Sequence, residues 1–156
     1  MPAYFVFPIF AIITGVSALL IIPKEKYKHY FLYGFIFGGV LQIIIASILT
    51  ALDLIQYKNM GPFNVMGLFS IWTPVAWMFA FTIFFYLLPT RKAFLIPYII
   101  TFAALSYSVG LVKESLLTFE YLGFNRYTAP INFLVWYSVS AWAYFRLENV
   151  KLKWLS

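Results

Sequence analysis

Glu114 stands between Lys113 and Ser115 near the end of a long apolar run, and Asp53 closes another such run. A carboxyl group at the edge of an apolar medium can serve as general acid or base, because desolvation raises its proton affinity while basic neighbours lower it. Asp53 and Glu114 are therefore the candidate catalytic pair if the chain is an enzyme, of the isomerase or cyclase type on an isoprenoid-like substrate. Lys113, Glu120 and Arg126 gather near Glu114, in a chain where charged residues make up only 10%. Tyr121 and Trp136 flank the same stretch, and Trp72 falls at a corresponding level. Aromatic walls with a few convergent polar groups are how an apolar ligand with one polar end is held. Glu114, Asn132, Trp72, Tyr121, Arg126 and Trp136 are thus the candidate ligand contacts. The competing reading is a wet loop, in which Asp53 and Lys113 cap and snorkel at helix ends, Glu120 and Arg126 decorate a solvated turn, and the rings form an interfacial belt.

Other chemistries lack their residues. The chain has no cysteine, which removes disulfides, thiolate metal sites and dithiol redox chemistry. His29 is the one histidine, and no HExxH, GxSxG, P-loop or GxGxxG context accompanies it. No metal and no cofactor is expected. A net charge of +6 could suggest nucleic acid, but the basic residues sit in short clusters between apolar blocks, as at an anionic membrane face.

The elements that must position these residues follow from composition. Hydrophobic residues make up 63% of the chain and the mean hydropathy is +0.88, against about 45–50% apolar in soluble domains. The chain reads as an all-α integral membrane protein, residues 1–156 forming a single transmembrane domain. Apolar blocks at about 3–22, 30–52, 63–88, 93–117 and 129–145 predict a compact bundle of five transmembrane helices. The first block lacks a basic flank before it and is taken as a retained helix. The third is expected to tilt or kink at Pro74. Sorting cations by side places Lys24, Lys26, Lys28, Arg91, Lys92, Arg146, Lys151 and Lys153 on one face, and only Lys58, Lys113 and Arg126 on the other. The positive-inside rule makes the first face cytoplasmic, with the N-terminus outside and the C-terminus inside. Glu114 is 22 residues beyond Lys92, a rise of roughly 33 Å, which puts it at the outer boundary with Asp53.

Gln42 is the strongly polar residue nearest the midplane and needs a partner or a cavity. Gly34 and Gly38 precede it in a small-xxx-small arrangement that admits another helix, so Gly34, Gly38 and Gln42 form the candidate packing face. Hydroxyls such as Ser106, Ser138 and Ser140 are expected to bond between helices or to their own backbone.

The segment "KES" followed by "FEYLGFNRYTAPINFLVWY" resembles the uncharacterised small multi-spanning membrane proteins of spore-forming Firmicutes, with Glu114, Gly123, Asn125 and Asn132 at the matching positions. The likeness covers the last third of the chain and implies a multi-pass protein of a bacterial plasma membrane, without implying an activity. The tryptophan-rich sensory proteins differ, since their Trp-Pro-Pro signature is absent. The function expected is a non-enzymatic membrane protein binding a lipid, another hydrophobic small molecule or a membrane partner through an aromatic, charged extracytoplasmic mouth. A homo-oligomer or a larger membrane complex is the expected assembly. An oligomeric transporter or channel and the acid–base enzyme are the alternatives.

Overall fold

A computed structural model of the chain describes residues 1–153. Pro23 cannot continue a helix from its N-terminal side, and it separates α1 (Val6–Ile21) from α2 (Lys24–Ala51). α2 opens with a 3-10 turn, runs as an α-helix through Tyr27–Tyr33, widens to a π-helix at Gly34–Val40 and resumes as an α-helix at Leu41–Ala51. Three short strands follow: β1 (Ile55–Tyr57), then a hairpin of β2 (Asn64–Val65) and β3 (Phe69–Ser70). The order closes with α3 (Trp72–Leu87), α4 (Lys92–Ser115), β4 (Phe119–Tyr121) and α5 (Thr128–Leu147).

The described chain is mostly helical. Ala3–Ile21, Lys24–Ala51 and Lys92–Ser115 are long and apolar enough to cross a membrane, and Trp72–Leu87 is a shorter apolar helix. α5 has 20 residues, interrupted by Asn132, Ser138, Ser140 and Arg146.

The third helix departs most from expectation. It starts at Trp72 rather than near Phe63, because Met66 and Gly67 both take positive φ and fold residues 64–70 into a hairpin. Pro74 consequently falls in the first turn, where a missing N–H costs nothing, and the expected kink has no cause.

α3 lies along α1 and along the π segment of α2. The approach to α2 is close at the glycines. A Cβ on Gly34 would stand 2.5 Å from the Met78 carbonyl oxygen, and one on Gly38 would stand 2.8 Å from the Trp77 carbonyl carbon and 2.9 Å from the Phe81 Cβ. The helix that the glycine face was expected to admit is therefore α3 of the same chain. α4 pairs with α5, and the aromatic cluster of Phe81, Phe84, Phe85, Trp136, Tyr137 and Tyr144 fills the space between the helices. Phe81 stacks on Tyr137 with ring centres 4.7 Å apart.

Each end of the molecule is tied by polar contacts. At one end the Tyr33 hydroxyl donates to Glu148 Oε1 (2.5 Å), His29 lies 3.5 Å from the same carboxylate, and the Lys153 N–H donates to the Thr90 carbonyl (3.2 Å). At the other end β1 pairs antiparallel with β4, Ile55 opposite Tyr121 and Tyr57 opposite Phe119. Lys58 and Glu120 form an exposed ion pair beside this ribbon. Glu120 is thus paired across the chain, although such a pair contributes little, about 0–1 kcal/mol.

α2 and α4 both stop in the same way. The Leu54 N–H donates to Leu49 O and the Thr118 N–H to Lys113 O, each five residues back, with Asp53 and Leu117 in the left-handed conformation at φ 55° and 58°. Asp53 therefore closes a helix, as the structural reading of that residue expects. Leucine is a poor residue for that conformation, and Leu117 is exposed. Leu117→Gly is expected to stabilise the fold by about 1 kcal/mol, read as a higher midpoint in thermal unfolding in detergent; a lower midpoint would show that the Leu117 side chain packs usefully.

Candidate functional site

The period of two along a strand decides what the ribbon covers. Ile55, Tyr57, Phe119 and Tyr121 share one face of the β1–β4 pair, and Gln56 and Glu120 share the other. The first face roofs a small cavity of about 50 Å³, below the roughly 300–1,000 Å³ usual for sites that enclose a whole drug-sized ligand. Its walls are Gln42, Ile45, Ala46 and Leu49 from α2, Trp77 from α3, Ser106, Val109, Gly110 and Lys113 from α4, and Ala129, Asn132, Phe133 and Trp136 from α5. A second cavity of about 140 Å³ lies between α1, α3, α4 and α5, lined by Phe10, Thr14, Ala76, Ala80, Phe102, Leu105 and Tyr137. Trp77, Ser106, Val109 and Lys113 line both.

Helical spacing places Lys113 here. Ala103, Ser106, Gly110 and Lys113 are the buried residues of α4, separated by three, four and three positions, so they form one stripe facing inward. Lys113 is 5% exposed, and among the described residues its ammonium has no hydrogen bond and no ion pair. It lies over the rings of Phe10 and Phe7, 5.4 and 5.8 Å from their centres. Such contacts recover part of the desolvation cost, about 0.5–2 kcal/mol, and leave the donors without acceptors.

The other polar groups of the wall are neutral. Gln42 Nε2 donates to the Tyr57 hydroxyl at 3.2 Å, which gives the midplane glutamine its partner. Ser106 and Tyr137 share a hydroxyl–hydroxyl bond of 2.8 Å. The Tyr121 hydroxyl is buried with no partner and rests against Gly110, where any Cβ would collide with it. Burial pushes the Tyr57 hydroxyl above its ordinary range against the opposing pull of Gln42, and burial followed by Tyr107, Tyr57 and Glu114 does the same to Tyr121. Both phenols therefore keep their protons throughout the physiological range. Trp136 is oriented by a bond from its Nε1 to the Phe37 carbonyl (3.0 Å), within the π segment.

The structure gathers some of the expected contacts and scatters the rest. Asn132, Tyr121 and Trp136 line the first cavity. Glu114 is half-buried beside it, its Oε1 3.5 Å from the Tyr121 N–H, and lines neither cavity. Arg126 is exposed. Trp72 lies edge-on to Phe63 and borders a separate apolar groove with Ala11, Ile12 and Gly15. Asp53 is exposed at the end of α2, and no described contact joins it to Glu114. Of the packing residues, Gln42 belongs to the cavity wall.

Sequence reasoning passed over Lys113 and Ser106 as wall residues and left Tyr57 out of the ligand contacts. The stripe on α4 was the available signal for two of them, and the alternation Ile-Gln-Tyr against Phe-Glu-Tyr was the signal for the ribbon that brings Tyr57 in. No family model, curated protein or solved structure matches this chain.

Proposed function

We propose that the protein is a five-span integral membrane protein, N-terminus outside and C-terminus cytoplasmic, that binds a hydrophobic small molecule or lipid in the cavities beneath the β1–β4 ribbon. The observation that carries this reading is the pair of cavities meeting at Lys113, with aromatic walls and a few inward polar groups. The contacts between His29 and Glu148 and between Thr90 and Lys153 support the orientation, since they collect the cation-rich segments at one end. Exposed apolar side chains along α1, α2 and α4, among them Leu20, Ile44 and Leu105, suit a lipid surround. Trp136, Tyr121 and Asn132 are ligand contacts on this reading. Glu114 supports the ribbon from behind, and the site lies deeper than an open mouth.

Extraction in mild detergent followed by native mass spectrometry is expected to show a co-purifying small molecule that leaves on harsher activation. Protein free of any such mass, and unable to take up any apolar probe, would overturn the binding function. The orientation has its own measurement. Cysteines placed at Asn125 or Asn59 should react with an impermeant thiol reagent in intact cells, and one at Thr90 should not; the reverse pattern would invert the assignment.

A further inference from the structure

The geometry points to a specific class of ligand: we propose that the cavities hold a single-chain amphiphile with one carboxylate head, the head on Lys113 Nζ and the Tyr121 hydroxyl and the apolar chain between α1, α3 and α4. This rests on the reading of the cavities as a ligand site and adds the charge and shape of what fills them.

The head group follows from what is left unsatisfied. Lys113 offers an ammonium with no acceptor, and Tyr121 offers a buried hydroxyl with no partner, both on the wall of the same cavity. Two inward donors call for one acceptor, and an anion is the acceptor that also neutralises the buried cation. Gln42 and Asn132 add neutral amides to the same wall.

Charge balance selects the carboxylate. Among the described residues Lys113 is the one cation lining either cavity, and no carboxylate lines them. A single positive charge is matched by a monoanion, whereas a phosphate monoester or diphosphate would bring at least one negative charge into the cavity uncompensated. Glu114 adds to that penalty, because its carboxylate faces the Tyr121 N–H just outside the wall.

The shape of the second cavity suits the chain. Its lining on α4 runs from Phe102 to Lys113, eleven residues, a rise of roughly 16 Å. Between those ends the wall is Leu105, Val109, Ala76, Ala80 and Phe10, with the Ser106 and Tyr137 hydroxyls already bonded to each other. The polar end of this slot is Lys113, so an amphiphile enters with its head at the ribbon; at about 140 Å³ the slot takes the first carbons of the tail, and Leu105, exposed on its wall, marks where the remainder leaves toward the lipid.

Binding to the purified full chain in a neutral maltoside detergent tests this with four probes of the same chain length: oleate, methyl oleate, oleyl alcohol and oleyl phosphate. Oleate is expected to bind saturably at one per chain and about 10-fold or more tighter than the ester, the alcohol or the phosphate. Lys113→Met should weaken oleate about 10-fold and abolish its advantage over the ester, while Lys113→Arg retains that advantage. Tyr121→Phe, which deletes one hydroxyl, should weaken oleate by a smaller factor and leave the ester unchanged. Size-exclusion profiles and helical circular dichroism confirm that each variant is folded. Equal binding of acid, ester and alcohol, indifferent to Lys113→Met, would overturn the carboxylate assignment and leave the hydrophobic site standing. Tighter binding of the phosphate would overturn the monoanion argument. No saturable binding of any probe, by wild type or variants, would remove the ligand site itself.

Discussion

Gly38→Leu is expected to destroy the native packing of α2 on α3, costing about 3 kcal/mol, at the upper end of what overpacked cores lose. The first carbon of the new side chain already meets the Trp77 carbonyl and the Phe81 Cβ at less than 3 Å, and backbone cannot step aside as a flexible side-chain tip can. Relief requires separating the two helices, which would open the Phe81, Phe85 and Trp136 contacts behind them. Gly39 supplies the matched control. A Cβ there meets the Met78 Cβ at 3.7 Å, an ordinary contact, so Gly39→Ala should be tolerated and should gain up to about 1 kcal/mol of helix propensity. Thermal unfolding of both variants in detergent checks the pair, and equal midpoints would mean that the two helices do not meet as closely as described.

Lys113→Met should act in the opposite direction and raise the stability of the ligand-free protein by about 1–3 kcal/mol. Methionine keeps much of the stem that packs near Phe7 and Phe10 and removes an ammonium with no acceptor among the described residues. A group retained at a cost to stability is a sign of work done elsewhere, so the same substitution is expected to stabilise the fold while weakening oleate. Melting curves recorded with and without oleate separate the two effects. The wild type should gain more from oleate than the variant does. A variant less stable than wild type without ligand would show that the ammonium is well satisfied at rest.

The helices were legible because apolar runs and their punctuation are local properties. The bounds of α4 and α5 fall within two residues of the sequence reading, and α1 together with its leading 3-10 turn spans Ala3–Ile21 where 3–22 was expected. α2 begins earlier, at Lys24, since the charged "KEKYKH" can continue a helix once its side chains are outside the apolar zone. Gly34 and Gly38 announced a close approach correctly, and only the partner was hidden, because spacing reports a smooth face and not what lies on it. The hairpin at 64–70 was swallowed by the apolar block around it, since Val65, Leu68 and Phe69 count as membrane residues in any running sum. The burial of Lys113 was missed for a different reason. A lysine at the end of a long helix ordinarily snorkels, and here its ammonium instead lies over Phe7 and Phe10 of α1, far away in the sequence.

The β1–β4 pairing sets an order of events. Ile55 meets Tyr121 across 66 residues of sequence, and contacts between such distant positions form late because the intervening chain must first be brought into place. Until β4 has been synthesised and paired, the first cavity beside Lys113 lacks part of its wall. On the proposed topology, α4 would insert into a bilayer while that side of the cavity is still open. A nascent chain ending before Phe119 would lack the ribbon, and the closed cavity would come into being only when the ribbon shuts.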